Sequence, residues 1–395
     1  MKFTKTGGPK KTGWSDTKKA KIFIISGSHL FHDMYTSFLA PVLPLLIEKF
    51  AFSYAAAGFL SVLMRLPSLV SPAVGSWADR RSLKYLVIAS PALTAIAMCL
   101  MGNVSSYFGL AVLAAIAGIS STCFHVPAPT LLKAVAGRRP GMAMSFFQVG
   151  GELSRTIGPI VVLCAVSWWT LAGLYRLIPF GVGVSLFLHW AFQDLPAVHT
   201  PAGSSAGRSR IVEVLCHERS LFLALLGILV CKSFSASVVA AFLPVYLTAQ
   251  GASVWLAGSA LALLQAAAIA GVFITGTLSD KIGCKKMLLG LTIVTPVSML
   301  LFIYSSGWLL IVALVLLGLT AFSSTPVVLS LIQQRCTAYP STANGMYMMI
   351  SFTLGSLAVL LAGVLSDAIG IAGAFKICAG CSLLGLPFLL LLNRN

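Results

Sequence analysis

The chain has 395 residues, of which 58% are hydrophobic and only 9% are charged, and it carries a formal net charge of +17. Roughly a quarter of the residues of an ordinary soluble domain are charged, so a soluble fold is excluded, and with it the nucleic-acid partner that a basic soluble protein would suggest. Apolar runs of roughly 20 residues, the length that crosses a bilayer, recur along the sequence. These runs are continuously apolar, so they predict helices rather than the alternating strands of a barrel.

The predicted elements are twelve membrane-spanning helices in two bundles of six. A polar, lysine-rich tail over 1–20 precedes the first bundle at 21–192. A linker over 193–219, rich in Pro, Gly, Ser and charge, separates it from the second bundle at 220–392. The predicted spans are 21–47, 54–77, 84–103, 106–133, 141–164, 169–192, 220–248, 252–277, 286–305, 308–333, 342–365 and 370–392. The expected fold class is therefore an all-α membrane protein with two pseudo-symmetric six-helix bundles.

Most of the lysine and arginine residues lie in the tails and in every second connection between the predicted spans. By the positive-inside bias, these connections and both termini are cytoplasmic, which requires an even number of spans. The apolar run after the N-terminal tail is too long for the core of a signal peptide. We therefore expect a multi-pass protein of the inner (cytoplasmic) membrane with no cleaved signal.

The two halves resemble each other at an offset of about 200 residues, the internal repeat of many transporter folds. The matching residues are Pro44 and Pro244, Ser53 and Ser253, Gly58 and Gly258, Gly75/Asp79 and Gly276/Asp280, Gly141 and Gly345, and Gly151 and Gly355. Their ordered succession makes coincidence improbable.

The first predicted helix carries His29, His32 and Asp33. An ionisable group at membrane depth costs at least a few kcal/mol unless it is paired or hydrated. A carboxylate in a low-dielectric cavity can take up and release a proton, which makes Asp33 the leading candidate for proton coupling. His29 lies one turn before Asp33 on the same face, and histidine titrates near physiological pH. Both histidines are therefore proton-relay candidates, and the alternative is a hydrogen-bonded packing role.

The buried cations outnumber the buried carboxylates in the predicted spans. Arg65, Arg155 and Lys232 stand at membrane depth, and Glu152 is the second carboxylate there besides Asp33. This imbalance favours an anionic substrate, because a guanidinium matches carboxylate and phosphonate geometry. Glu152 is a second proton-coupling candidate. The alternative is structural pairing, Glu152 with Arg155 on one helix face and Asp33 with Arg65 on adjacent helices.

Three uncharged polar side chains complete the predicted substrate cavity. His125 precedes a Val-Pro pair in the fourth helix, where the proline favours a bend. Gln148, one turn before Glu152, and Gln265 in the eighth helix need a cavity or a partner. For each of the three, ordinary packing in the helix bundle is the alternative.

Two connections carry the same motif and point to a family. Both resemble the Gly-x-x-x-Asp-Arg/Lys-x-Gly-Arg/Lys-Arg/Lys motif that the major facilitator family carries between helices 2 and 3 and again between helices 8 and 9, although Ser82 replaces the usual Gly in the first copy. The motif residues here are Gly75, Asp79 and Arg80 in the first copy and Gly276, Asp280 and Lys281 in the second. The resemblance implies a cytoplasmic latch that holds one conformation and breaks in the other.

A narrower resemblance covers the N-terminal half best. The segments His29-Leu-Phe-His32-Asp33, Phe124-His125-Val-Pro127 and Arg138-Arg139-Pro-Gly141 through Gly158-Pro159 look like the fosmidomycin-resistance branch of that family. That branch exports an anionic phosphonate antibiotic in exchange for protons. Glu152 and Arg155 depart from the small or uncharged residues expected in the branch. The small residues around Gly150 and Pro159 look like the family's antiporter motif, and ordinary helix packing is the alternative.

These observations predict a proton-coupled exporter of a small anionic organic compound that works by alternating access, as a monomer without a cofactor or metal. An uptake symporter for an organic anion is one alternative. A non-transporting metal-binding or sensory protein that uses His29, His32 and His125 is another. No Walker loop, dinucleotide-binding glycine pattern or zinc-protease motif is present, so we expect no enzyme activity.

Overall fold

The computed structural model is all-helical in the part of the chain that it describes. That part comprises residues 16–70, 74, 83–128, 131–132, 135, 140–193, 216, 218–335 and 340–389. The α-helices are α1 (Asp16–Thr36), α2 (Leu39–Phe50), α3 (Tyr54–Arg65), α4 (Lys84–Cys99), α5 (Tyr107–His125), α6 (Pro140–Trp169), α7 (Ile178–Ala191), α8 (Arg219–Ala249), α9 (Val254–Ile282), α10 (Cys284–Tyr304), α11 (Gly307–Ala321), α12 (Ser324–Arg335), α13 (Pro340–Ile369), α14 (Ile371–Leu383) and α15 (Leu386–Leu389). Two short 3-10 helices, Leu66–Val70 and Ala172–Leu177, extend α3 and precede α7.

The predicted membrane spans are confirmed by helices in the same order. Among the described residues, nine helical segments are long and apolar enough to cross a bilayer, from Ala20–Phe50 to Ile371–Phe388. Three shorter apolar helices, Tyr54–Val70, Lys84–Cys99 and Gly307–Ala321, occupy the places of the second, third and tenth predicted spans. The linker 193–219 and the N-terminal tail lie almost entirely outside the described residues.

Prolines break three of the predicted spans. The first span is two helices, α1 and α2, because the amide of Pro41 cannot donate the hydrogen bond that would continue α1. The fourth ends at His125, two residues before Pro127. The tenth, predicted as one helix over 308–333, is α11 and α12 with a break at Phe322. Pro326 falls in the first turn of α12, where a missing N–H costs nothing.

Equivalent residues of the two halves perform the same local task. Ser53 and Ser253 are both N-caps, and each hydroxyl oxygen accepts a hydrogen bond at 3.2 Å from the backbone N–H three residues later. Gly118 of α5 packs against the Met64 carbonyl of α3, and Gly318 of α11 packs in the same way against Leu264 of α9. The offset of about 200 residues is therefore an offset in structure as well as in sequence.

The halves pack along two helix pairs, α3 with α13 and α6 with α9, and the largest apolar core runs through both halves. A side chain at Gly58 or Gly363 would collide with the backbone across the α3–α13 contact. At the end of this contact, Asp367 accepts hydrogen bonds from the backbone N–H groups of Tyr54 at 2.7 Å and Ala55 at 2.9 Å. A carboxylate of one half thus caps the first turn of a helix in the other half.

Candidate functional site

Three helices of the N-terminal half bring His29, Asp33 and His125 together. His29 and Asp33 lie one turn apart on α1, just before the break that follows Thr36, and His125 is the last residue of α5. Glycine makes room for them, because a Cβ atom at Gly151 of α6 would lie 2.5 Å from the His29 ring. The cluster therefore forms where α1 and α6 are in direct contact.

The three side chains meet through their polar atoms. His29 Nε2 lies 3.1 Å from Asp33 Oδ2, and His125 Nε2 lies 3.2 Å from Asp33 Oδ1. The two imidazole Nε2 atoms are 3.3 Å apart. Asp33 is 7% exposed and His29 is 3% exposed, so two of the three groups are withdrawn from solvent.

Backbone carbonyls determine which atoms of the two imidazoles carry protons. His29 Nδ1 lies 2.7 Å from the Phe147 carbonyl oxygen, and His125 Nδ1 lies 2.9 Å from the Ser121 carbonyl oxygen. A carbonyl only accepts, so both Nδ1 atoms are donors. If both rings were neutral and Asp33 ionised, two Nε2 lone pairs and a carboxylate would face one another. At least one shared proton, or another cation, is needed to make this arrangement favourable.

His32 supports Asp33 from the other side and is fully buried. Its Nδ1 atom donates to Asp33 Oδ1 at 2.9 Å, and its Nε2 atom lies 3.0 Å from the Thr94 hydroxyl. Thr94 in turn lies 2.7 Å from the Ser120 hydroxyl, and the Phe124 ring stacks on His32 with centroids 4.4 Å apart. Every polar atom of a neutral His32 is satisfied, so this residue orients the carboxylate without having to change its own charge.

His125 connects the cluster to its surroundings. Its side chain is 39% exposed, whereas that of Asp33 is 9% exposed. The Arg155 guanidinium of α6 is near enough to act electrostatically on both His125 and Arg65. The Arg155 guanidinium thus lies near the exposed side of the cluster, and Arg65 is within electrostatic reach of Arg155.

Arg65 lies at the contact between the halves. A Cβ atom at Gly355 of α13 would lie 3.0 Å from Arg65 Nη1 and 2.7 Å from the Ser237 hydroxyl of α8. Arg65 also lines a cleft of about 170 Å³ between α3 and α13. In the described part of the chain Arg65 has no carboxylate partner, so the predicted alternative of an Asp33–Arg65 pair is wrong and Asp33 pairs with histidines instead.

The predicted pair on α6 is present. Arg155 Nη1 lies 3.2 Å from Glu152 Oε2, with the two side chains 46% and 33% exposed. An exposed pair of this kind contributes roughly 0–1 kcal/mol to stability, so it leaves both groups available to a ligand. Gln148, one turn earlier, is exposed.

The remaining predicted substrate residues lie elsewhere. Lys232 on α8 lines a separate cavity inside the C-terminal bundle, together with Ser324 and Thr295. Gln265 is buried on α9, the helix that packs against α6. The structure therefore places Arg155 near the cluster and Arg65 within electrostatic reach of Arg155, and it leaves Lys232 in a separate cavity.

The predicted latch falls mostly outside the described residues. Gly75, Asp79 and Arg80 are not described, and of Asp280 only the backbone in α9 is. Gly276 lies within α9, and Lys281 is exposed in its last turn. Asp367 is a residue that the sequence pattern missed, since the helix that it caps begins more than 300 positions away along the chain.

The cluster also has the composition of a metal site. Among the described residues, His29, Asp33 and His125 form one grouping whose possible ligand atoms all lie within 4.8 Å of one another. Metal-bound histidines usually donate their other ring N–H to a carbonyl, as both histidines do here. The same three groups therefore suit either a shared proton or a bound cation.

Comparison with known proteins connects this geometry to a family. The model of the Major Facilitator Superfamily matches residues 25–359. The fosmidomycin resistance protein of Escherichia coli (strain K12) is 26% identical over 375 residues, which are 92% of this chain and 90% of that protein. A bacterial homologue of the human lysosomal transporter Spinster, in an inward-facing and occupied conformation, superposes over 97% of this chain and 98% of that one, with a TM-score of 0.81 and 14% identity. A D-xylose-proton symporter superposes over 95% and 97%, with a TM-score of 0.76 and 14% identity. At these identities the two structures share the fold of this chain.

Proposed function

Because this chain belongs to the Major Facilitator Superfamily, we propose that it exports a small anionic organic compound in exchange for protons. It is a multi-pass membrane protein of a transporter family and not an enzyme. In the proposed cycle, the two bundles rock about a site between them and expose that site alternately to each side of the membrane.

The observation that carries the proton coupling is the convergence of His29, Asp33 and His125. Their facing atoms lie 3.1 to 3.3 Å apart, an arrangement that a shared proton makes favourable. His125, the exposed member, receives the proton from the aqueous cavity and passes it to Asp33. Glu152, half-buried one turn after Gln148, is the second carboxylate that the exchanged proton can use.

Arg65 and Arg155 supply the anion contacts. Arg155 lies near His125, and Arg65 lies at the contact between the halves. The two guanidinium groups repel each other, and an anion that enters between them relieves this repulsion. In the exchange cycle the anion crosses on the arginines in one half of the cycle, and the proton crosses on the cluster in the other half.

The fosmidomycin resistance protein, whose name states resistance to a phosphonate antibiotic, is the reason to begin with phosphonates. A thermal-stabilisation screen of purified protein over small phosphonates, carboxylates and sulfonates, with fosmidomycin among them, identifies the anion. We expect at least one of these anions to stabilise the wild type, and to stabilise Arg65→Gln less. Equal stabilisation of the wild type and Arg65→Gln by such an anion would contradict the proposed anion site.

Direction is tested with that anion in inverted vesicles whose lumen, equivalent to the outside of the cell, is made acidic. An exporter accumulates the anion in the lumen as protons leave it. The alternative is an uptake symporter, which the proton symporter among the structural neighbours keeps open. A symporter expels the anion from the same vesicles together with the protons, and that result would rule out export.

A cation-binding role for the cluster is a separate candidate, since its three groups also suit a metal ion. Metal analysis of the purified protein distinguishes the two. Stoichiometric metal that is lost in His29→Gln and His125→Gln, and kept in His189→Gln on α7, would replace the proton assignment.

A further inference from the structure

Four positions of the N-terminal half have counterparts in the C-terminal half that line one cavity. At the offset of 200 residues that relates Gly118 to Gly318, His32 corresponds to Lys232, Ser120 to Thr320 and Phe124 to Ser324. At the offset of 201 that relates the two motif copies, Thr94 corresponds to Thr295. Lys232, Thr295, Thr320 and Ser324 all line the cavity inside the C-terminal bundle.

In the N-terminal half, an aromatic ring and a carboxylate lie beside the residue that corresponds to Lys232. The Phe124 ring stacks on His32, and Thr94 occupies the distal nitrogen of His32. Asp33, the next residue along α1, supplies a carboxylate 2.9 Å from His32. Both ring nitrogens of this histidine therefore have hydrogen-bond partners.

In the C-terminal half the same position lacks both the ring and the carboxylate. Ser324 replaces Phe124, which leaves a cavity of about 20 Å³ next to Lys232. Ser233 stands where the N-terminal half has Asp33. Within the described residues, Lys232 makes no ion pair. An ammonium group at membrane depth without a counter-charge is strongly unfavourable.

The cavity also contains a hydrogen-bond donor without an acceptor. The Ser324 hydroxyl belongs to a residue that is only 4% exposed, and it has no hydrogen-bond partner. Leaving a buried hydroxyl unpaired costs about 1–3 kcal/mol. The Thr320 hydroxyl, in contrast, donates to the Leu316 carbonyl at 3.0 Å. Among the described residues, the polar wall therefore presents the positive charge of Lys232 and the unpartnered Ser324 O–H donor.

The geometry points to a bound monoatomic anion, chloride, held between Lys232 and Ser324 in the C-terminal bundle. A cavity of about 20 Å³ admits one particle of about the size of a water molecule, so the organic substrate does not fit. A negative ion neutralises the ammonium and accepts the serine proton, whereas a water molecule can accept both hydrogen bonds but leaves the positive charge uncompensated. The site is separate from the proposed transport site and stabilises the C-terminal half in place of the missing carboxylate.

The test measures thermal unfolding of the purified full-length protein in sodium chloride and in sodium gluconate at equal ionic strength. Chloride should raise the wild-type Tm by about 2 °C or more as its site saturates. Ser324→Ala should weaken chloride binding about tenfold through loss of one charge-assisted hydrogen bond. Ser324→Phe, which installs the residue of the N-terminal half, should abolish the chloride shift. Lys376→Met, which removes a cation beside Tyr304 instead, should keep it.

Equilibrium dialysis with radioactive chloride measures binding directly and does not rely on a melting temperature. The wild type should retain one chloride per chain, and the conservative Ser324→Ala variant should retain it with lower affinity. Equal Tm values in chloride and gluconate, or no retained chloride in the wild type, would overturn the proposal and show that the cavity holds water. Transport of the organic anion would still proceed in that case, so the proposed function is tested separately.

Discussion

The two halves carry the same scaffold and different chemistry at matching positions. Ser53 and Ser253 cap equivalent helices, and Gly118 and Gly318 make equivalent contacts, so the frame is repeated faithfully. Beside His32 the N-terminal half has Asp33, whereas beside Lys232 the C-terminal half has Ser233. The same helix framework thus holds a carboxylate between histidines in one half and, within the described part of the chain, a lysine without a carboxylate neighbour in the other. Four substitutions test what the N-terminal cluster, its neighbouring arginine and the contact between the halves contribute.

The largest effect is expected from Asp33→Asn, which removes the carboxylate that both α1 histidines contact. Without an exchangeable proton in the cluster, transport driven by a pH gradient should fall to the level of empty vesicles. Exchange of internal for external substrate, which needs no net proton movement, should persist. Both fluxes are measured in proteoliposomes. Glu48→Gln, an exposed carboxylate of the same span, is the control and should leave both unchanged.

Gly151→Ala should disturb the N-terminal cluster without changing any of its chemical groups. The new methyl would lie 2.5 Å from the His29 ring, and relieving such overlap costs typically about 1–3 kcal/mol of stability. Gradient-driven transport should fall with it, because the ring shifts away from Asp33. Gly27→Ala on α1 meets no atom within 4 Å and should be neutral. If Gly151→Ala and Gly27→Ala have the same free energy of unfolding and the same gradient-driven transport, the close packing at His29 does not contribute to function.

Arg155→Ala separates a substrate contact from a structural ion pair. Its ion pair with Glu152 is exposed and contributes little to stability, so the free energy of unfolding should barely change. Anion affinity should fall about tenfold, the value of one charge-assisted hydrogen bond. Affinity is read from the concentration dependence of stabilisation. Should the double variant Glu152→Gln/Arg155→Gln bind the anion as tightly as the wild type, Arg155 serves only to neutralise its neighbour.

The smallest effect is expected from Asp367→Ala at the contact between the halves. Loss of the cap on α3 costs about 1 kcal/mol, so amide hydrogen exchange should quicken by about fivefold both at the start of α3 and at the end of α13. Ser53→Ala removes a cap on the same helix from within its own half. In that control only the start of α3 should exchange faster, and faster exchange at α13 as well would mean that Asp367 does not link the halves.

The sequence was sufficient for the twelve spans, since continuous apolar runs can cross a bilayer only as helices. It also predicted the Glu152–Arg155 pair, because residues three positions apart share a helix face. The helix breaks at Phe322 and after Thr36 were not predicted, although Pro326 and Pro41 marked the places. From the sequence alone, a proline in the first turn of a new helix cannot be distinguished from a proline inside a continuous helix.

The composition of the cluster was predictable and its geometry was not. Asp33 and His29 lie one turn apart, which the helix period gives directly. His125 comes from a helix that is distant in sequence, and its distance to Asp33 depends on how closely Gly151 lets α6 approach α1. The predicted pairing of Asp33 with Arg65 was wrong for the same reason. The face that one helix turns towards its neighbour depends on tertiary packing, which the sequence of either helix does not specify. The Asp367 cap joins residues more than 300 positions apart and has no local signature.

The central claim is that Asp33 and its histidines carry the proton that is exchanged for the anion. The most direct measurement follows luminal pH with an internal dye in proteoliposomes while the anion identified by the stabilisation screen is added outside. The wild type should move protons out of the lumen as the anion enters, and Asp33→Asn should take up the anion by exchange with no pH change. Proton movement in Asp33→Asn equal to that of the wild type would contradict the account.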